Sequence, residues 1–395
     1  MKILIAVEQA ISLIKKNVGQ GIARETIALE QGLGYILAED IFAPISLPPF
    51  RQSAMDGYAL NYHSGDTFDV MGEVKAGDSM SPILKKGQCV RIFTGAMVPK
   101  TANVVIKQES VLRNEDTVSV QQDIVPGSNI RPEGEQIKAN ELALNRGTYL
   151  NASTIGFLAG MGVVSVSVYK KPTVAIVITG NELVTGGKPL EQGQIYESNA
   201  IMLSSALQNI GINKVDIFTV RDNYQDTEDI LTQALDQYDF TLVSGGISVG
   251  DYDFVGSALN TIGVEQIFYK VKQKPGKPLY FGKKTKNYVF ALPGNPASAL
   301  SCFYVYVALA IARFSGKPNS GVKRSQLLAE NSLVKSGTRA HFLKALAKAE
   351  TVEILEGQAS SMLRSFATAN ALVYVPEQVN SIKQGDLVEV WYLPS

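Results

Sequence analysis

Thiols and imidazoles are scarce here: the 395 residues include two cysteines, Cys89 and Cys302, and two histidines, His63 and His341. No CxxC pair occurs, so a zinc site built from thiolates is excluded. Two distant cysteines form no disulfide framework, which suits a reducing cytosol. So few histidines argue against a His-rich metal centre and against most Ser-His or Cys-His catalysis. Any metal used should prefer oxygen ligands, Mg²⁺ above all. Net charge is missing as well: Lys+Arg is 37 and Asp+Glu is 37, a formal +0. A global basic field for nucleic acid is therefore absent, which leaves room only for a local basic site. The most apolar run, Ala299–Ala312, is shorter than the roughly 20 residues a bilayer requires. The uncharged stretch Gly147–Tyr169 is broken by Asn151 and reads as a helix and then a strand. At the N-terminus Glu8 interrupts an apolar run in which Ile3, Ala6, Ala10, Leu13 and Ile14 recur at helical spacing. That pattern predicts an amphipathic helix and not a signal peptide. The expected location is cytoplasmic, away from any membrane.

The chain changes rhythm along its length. Residues 1–45 look helical. In 46–140, "TFDVMGEVKAG", "CVRIFTGAMVP", "NVVIKQESVL" and "TVSVQQDI" read as short strands between Gly, Pro, Asn and Asp turns, a mainly β region. Residues 141–171 return to a helix and a strand and are expected to fold back on the first segment, making the β region an insertion. From Pro172 strands and helices alternate: "TVAIVIT", "ESNAIMLSSALQNIG" (a helix with a Ser or Asn cap and a terminal Gly), "VDIFTV", "YQDTEDILTQALDQ", "DFTLVSGG" and onward to the closing helix "PASALSCFYVYVALAIARF". Such alternation predicts a mostly parallel sheet with helices on both faces, and ligands bind beyond the carboxyl ends of its strands. After residue 320 the helices fade into a small β domain.

Polar, charged and glycine residues follow each strand of the α/β region. Glu182 follows the first, Asp222 the second, and "SGGISVGDYD" with Asp251 and Asp253 the third. The glycines of "SGGISVG" allow backbone N–H groups to approach an anion, although a plain strand-to-helix turn has the same composition. No Gly-Lys-Ser/Thr follows, so this is no Walker A loop; nor is it GxGxxG, which disfavours a nicotinamide cofactor. In "LPGNPASA", Asn295 suits an N-cap and Pro296 the first helical residue, and Gly294 opens a helix N-terminus to phosphate. "KQKPGKPLYFG" sets Lys272, Lys274 and Lys277 around a turn stiffened by prolines, where fixed cations suit an anionic ligand. Any one of the acids alone is an ordinary cap or solvated charge. Several acids together with an anion cradle suggest Mg²⁺ bridging to phosphate.

Taken in order, "PPFRQSAMDGYA", "RIFTGAMVP", "NIRPEGE", "ITGNEL", "GQIYESN", "SGGISVGDYDF", "KPGKP", "LPGNPASA" and "GDLVEVW" resemble the molybdopterin molybdenumtransferase, or MoeA, family of molybdenum cofactor biosynthesis; the E domain of gephyrin is similar. The resemblance spans nearly the whole chain. It implies a helical linker domain (1–45 with 141–171), a mainly β inserted domain (46–140), a doubly wound α/β molybdopterin-binding domain (172–320) and a C-terminal β-barrel domain (321–395). It also implies a homodimer whose site lies between the α/β domain of one subunit and the insertion of the other. The substrates implied are molybdate and adenylylated molybdopterin, with Mg²⁺ as cofactor and AMP as product. Residue by residue, the resemblance gives Asp56 and Thr94 as cross-subunit catalytic groups, and Glu182, Asp222 and Asp253 as acids around metal and substrate. Lys274 and Lys277 become anion binders. Gly246 and Ser248 lie on a nucleotide-contacting loop, and Pro293, Gly294, Asn295, Arg339 and Ser361 join the substrate-binding set. One departure stands out: the family often has an acid after "GE" in the "RPEGE" segment, where this chain has Gln136, so its role is changed or falls to Glu135.

The chemistry fits that assignment. Two anions must be brought together, and cations with N–H donors offset their repulsion. Glu182 or Asp56 is available to position a water or an oxo group, and no covalent protein nucleophile is required. Molybdopterin adenylyltransferase and molybdoenzyme-maturation proteins are the partners to expect. Two other readings remain: a molybdopterin adenylyltransferase, which would not need the first 170 residues or the terminal barrel, and a non-catalytic gephyrin-like scaffold, which relies on further domains.

Overall fold

The computed structural model describes residues 4–21, 23–79, 81–247, 254–318 and 321–394. The chain packs as two compact units, one of Met1–Glu25, Gly34–Ile36 and Tyr169–Ser395, the other of Thr26–Leu33 and Leu37–Val168.

The larger unit is built on a six-stranded sheet. Its strand order is Val215–Val220, Val174–Thr179, Phe240–Ser244, Asn287–Leu292, Tyr280–Lys284, Glu265–Tyr269. The first four strands run parallel, Tyr280–Lys284 runs against them, and Glu265–Tyr269, antiparallel to its neighbour, runs with them again. Val174–Thr179 shows why helices cover both faces. Val174, Ile176 and Ile178 enter one core with Leu203, Leu207 and Phe303, while Ala175 and Val177 enter a second with Leu231, Leu235 and Leu259. A strand buried on both faces reads as a continuous apolar run, as "TVAIVIT" does. The fold is thus doubly wound, as expected.

The apolar run near residue 300 lies in the helical stretch Pro296–Phe314, which is long and apolar enough to cross a membrane but is almost wholly buried in this unit. It contains one π-helical turn, Phe303–Val307. Val7–Asn17 is the expected amphipathic helix and buries Val7, Ala10, Ile11 and Ile14. The helical reading of the first 45 residues is otherwise corrected: after Asn17 come the strand Arg24–Ala28, a short 3₁₀ turn Leu29–Gln31 and the strand Ile41–Phe42. Glycines and β-branched residues there interrupt the 3.6-residue period, and the chain takes extended conformations instead.

Toward the C-terminus a small barrel closes through Ala340–Ala347, Thr351–Ile354, Arg324–Ala329, Leu387–Tyr392 and Ala371–Val375, which pairs back to Ala340–Ala347. A two-residue strand, Gln273–Lys274, runs parallel to Ala340 and His341 and joins the "KPGKP" turn to the barrel wall.

In the second unit the strand order is Val104–Lys107, Gly57–Leu60, Gln88–Ile92, Thr67–Val74, Thr117–Val120, Val111–Asn114. All four residues of Gly57–Leu60 are buried. Tyr58 and Leu60 feed one core with Phe68 and Ile106, and Ala59 feeds another with Val90 and Ile92. At Gly57 the neighbouring strand comes so close that a Cβ would lie 1.9 Å from the Ile106 carbonyl oxygen. Neither backbone can retreat from a paired ladder. Gly57→Ala should therefore cost about 1–3 kcal/mol of stability, read as a lowered urea midpoint, and a midpoint equal to wild type would refute the constraint.

Candidate functional site

Where the parallel strands of the larger unit end, their loops enclose a cleft of about 610 Å³. Glu182, Asp222, Gly246, Pro293, Gly294 and Asn295, all proposed from the sequence, line it together. Two turns form its floor. At Gly245, with φ +99°, the chain passes so close to the first strand that a Cβ would sit 2.7 Å from the Thr179 carbonyl. A side chain is excluded there by both conformation and space.

Asn199 joins this turn to the next. Its Nδ2 donates to Ser244 Oγ and to the Gly294 carbonyl, each at 2.8 Å. The expected Ser or Asn cap of this helix is not made by either side chain; Glu197 accepts from the Ala200 N–H at 2.8 Å instead, which leaves the Asn199 amide to the cleft. The same diversion occurs at Asn295. It occupies the N-cap position with Pro296 following, but its side chain makes no capping bond and donates to Ser360 Oγ at 3.0 Å. The hydroxyl that meets the Pro-Gly-Asn turn is thus that of Ser360, beside the exposed Ser361.

Asp222 and Asn181 exchange backbone-to-side-chain bonds, with Asn181 N to Asp222 Oδ2 at 3.1 Å and Asp222 N to Asn181 Oδ1 at 3.2 Å. This fixes one carboxylate at the second strand's end, while Glu182 stands exposed at the first. Ser248, Asp251 and Asp253 lie outside the described residues. Among the described residues no group of three Asp, Glu, His or Cys side chains is arranged to hold a metal ion. Glu197 lines the cleft as well but accepts from the Ala200 N–H; Glu182 and Asp222 still suit Mg²⁺, which takes one or two protein carboxylates and completes its shell with phosphate oxygens and water.

The basic residues sit apart from this lining, which contains no lysine or arginine. Lys274 lines a smaller cavity of about 160 Å³ with Pro275, His341 and Gln358, and Lys277 is exposed. Arg339 Nη1 donates to the Gln273 carbonyl at 3.2 Å. The Lys335 ammonium, itself buried, donates to the carbonyls of Arg339 at 3.2 Å, Pro376 at 2.8 Å and Glu377 at 2.7 Å. Burial, and then the Lys274, Lys335 and Arg339 cations, hold His341 down at about 4.

In the second unit Asp56 and Thr94 form one pair. The backbone N–H of Thr94 donates to Asp56 Oδ1 at 2.7 Å and its hydroxyl to the same oxygen at 2.8 Å. These bonds, the backbone one first, lower the Asp56 pKa below the ordinary carboxylate value, with a smaller contribution from Arg91. Glu135 and Gln136 line a separate cleft of about 390 Å³ with Pro48, Pro49 and Arg131. Both cysteines are buried, and burial pushes Cys89 up to about 12 and Cys302 higher still, so both are thiols at neutral pH.

Residues 5–162 match the MoeA N-terminal region (domain I and II), residues 175–313 a probable molybdopterin binding domain, and residues 326–393 the MoeA C-terminal region (domain IV). The chain belongs to the MoeA family. The molybdopterin molybdenumtransferase of Haemophilus influenzae is 32% identical over 397 residues, which are 98% of each chain. Molybdopterin molybdenumtransferase 2 of Mycobacterium tuberculosis is 34% identical over 385 residues, 93% of this chain and 95% of that protein. The crystal structure of the molybdopterin biosynthesis MoeA protein from Pyrococcus horikosii superposes with a TM-score of 0.84 at 29% identity, covering 100% of both chains.

Against this MoeA framework, sequence reasoning missed Asn199, Ser244 and Ser360. The first was read only as a helix cap, and the last signalled itself only as one of two adjacent serines. Two measurements check the electrostatics. Thr94→Val removes the hydroxyl bond and keeps the backbone one, so the Asp56 pKa should rise part of the way to its ordinary value in a carboxylate NMR titration; an unmoved pKa would discount the pair. For His341, the folded pKa of about 4 lies below the ordinary 6.5, so unfolding takes up a proton between these values and stability falls as pH drops through that window. His341→Gln should flatten this dependence in urea midpoints taken at about pH 7 and 5, and an equal slope would contradict it.

Proposed function

We propose that this chain is a molybdopterin molybdenumtransferase, which inserts molybdate into adenylylated molybdopterin and releases AMP. The observation that carries the reading is the single cleft at the carboxyl ends of the parallel strands. Glu182, Asp222 and Glu197, a glycine turn and a helix N-terminus meet there, in a chain that is full-length similar to proteins bearing that name. The helix N-terminus at Gly294–Asn295 and the glycine turn at Gly245–Gly246 offer N–H groups to phosphate. Lys274 and Lys277, on a turn anchored to the barrel, supply positive charge for molybdate and the pterin phosphate, with Arg339 held beside them. Glu182 and Asp222, joined by Asp253, would hold Mg²⁺, which offsets charge on the phosphoanhydride when bound. Asp56 is kept ionised by Thr94 and is suited to orient a water or oxo group.

In this reading the working form is a cytoplasmic homodimer in which Asp56 and Thr94 serve the partner's cleft. That arrangement accounts for a carboxylate on the proline-flanked loop whose side-chain bonds, among the described residues, go to Thr94.

The test mixes purified protein with adenylylated molybdopterin and Mg²⁺, with and without molybdate, and follows AMP. AMP appearing only with molybdate supports the transferase. Consumption of ATP with unmodified molybdopterin would point to an adenylyltransferase, and no turnover in either mixture to a scaffold. Asp56→Ala should abolish molybdate-dependent AMP release while the circular dichroism spectrum and melting temperature stay unchanged. Full turnover in that variant would remove Asp56 from the mechanism.

A further inference from the structure

An ammonium group taken out of water needs either a counter-charge or a full set of acceptors. Lys344, on the barrel strand Ala340–Ala347, is 1% exposed. Its Nζ donates to the carbonyls of Gly357 at 2.6 Å, Met362 at 2.9 Å and Ala359 at 3.3 Å. No carboxylate is among these partners. All three acceptors belong to one short loop, so the ammonium gathers that loop around itself. The backbone of Lys344 adds to the hold: its N–H donates to Gln358 Oε1, and Gln358 Nε2 donates back to its carbonyl, each at 2.9 Å. From the other side Ser365 Oγ donates to the Gly357 carbonyl at 2.8 Å and the Met362 carbonyl at 3.2 Å. The loop presents Ser360, whose hydroxyl receives the Asn295 amide at 3.0 Å, and Asn295 lines the cleft.

We propose that Lys344 is a positioning residue for the substrate cleft: its ammonium fixes the loop 357–362 so that Ser360 holds the Asn295 side chain and the Gly294–Asn295 turn stays in place to receive an anionic group of the substrate. The inference rests on the transferase reading given above. An apolar residue of equal length would fill the same space but remove the one donor common to all three carbonyls, leaving Gly357 and Met362 to share the Ser365 hydroxyl and Ala359 with the Met362 N–H, so the loop would lose its common anchor. Charge-assisted bonds to three carbonyls hold the loop more firmly than a neutral donor would. The side chain never reaches substrate, so its effect should appear in substrate binding and not in the chemical step.

The experiment compares Lys344→Met, Ser360→Ala and the double variant by molybdate-dependent AMP release, with kcat and the KM for adenylylated molybdopterin measured separately. Each single change should raise KM about two- to threefold, the effect expected from one lost hydrogen bond of about 0.5 kcal/mol at an exposed contact, with kcat unchanged. The double variant should be no worse than the more impaired single, because both changes act through one contact. A Lys344→Met enzyme with a lower melting temperature but unaltered KM would overturn the inference, as would two KM effects that multiply. Should Lys344→Met fail to fold, Ser365→Ala loosens the same loop from its half-buried side. It should raise KM in the same direction by a smaller factor, and an unchanged KM there would also overturn the inference. Wild-type protein without molybdate-dependent turnover would sink the transferase reading and this inference together. Normal wild-type turnover with an unaltered variant KM would sink the inference alone.

Discussion

A primary amide withdrawn from water must satisfy both of its ends. Gln273, fully buried, does so between three parts of the larger unit. Its Nε2 donates to the Pro275 carbonyl at 2.9 Å, and its Oε1 accepts from the Tyr306 hydroxyl on the core helix. Its backbone pairs with Ala340 of the barrel, and its carbonyl takes the Arg339 guanidinium. One residue before it, the Lys272 N–H donates to the Ile5 carbonyl at 2.8 Å, so the N-terminal segment grips the same stretch. The lysines on either side of the Pro-Gly turn thus stand on a backbone held from the side and from below. Loss of the Tyr306 bond would leave a hydroxyl and an amide oxygen unpaired in the core, a penalty of about 1–3 kcal/mol for each such group.

The same economy governs the cleft. Asn199 and Asn295 sit at the starts of helices, where asparagine ordinarily caps the backbone. Here both amides brace turns instead, one to Ser244 and Gly294, the other to Ser360. The acids of the cleft and Lys274 of the neighbouring turn line different cavities, while Lys272 pairs with Glu377. Carboxylates kept apart from ammonium groups stay available to a cation, and an ammonium group kept apart from carboxylates stays available to an anion. This division suits a site that handles a metal ion and negatively charged substrates together.

Much of this was legible in the residues. The alternation of apolar runs with helical periods after Pro172 gives the sheet and its helices, because burial on both faces leaves few readings of "TVAIVIT". The loops after each strand give Glu182, Asp222 and the Pro-Gly-Asn turn, since strand ends in such a sheet all point one way. What stayed hidden depends on contacts distant in sequence. Nothing local to Lys344 or Lys335 announces that carbonyls from other loops will surround them. Asn199 reads as a cap because its partners are 45 and 95 residues away. The strand Tyr280–Lys284 was visible only as the tail of the lysine turn, although it runs against both of its neighbours. The segment after Asn17 misled in the opposite direction: grouped with the helix before it, it carries glycines and β-branched residues that favour the extended pairings it makes.

The widened turn at Phe303–Val307 carries a consequence for the core helix. It holds one more residue than an α-helical turn would, and Tyr306, which secures Gln273, lies within it. Each residue of an α-helix advances its face by about 100°. Deleting one residue there would restore regular winding and leave the flanking turns nearly in phase, yet it would remove the bulge on which Tyr306 stands and with it the geometry of the bond to Gln273. The residue count of this greasy stretch thus matters separately from its composition.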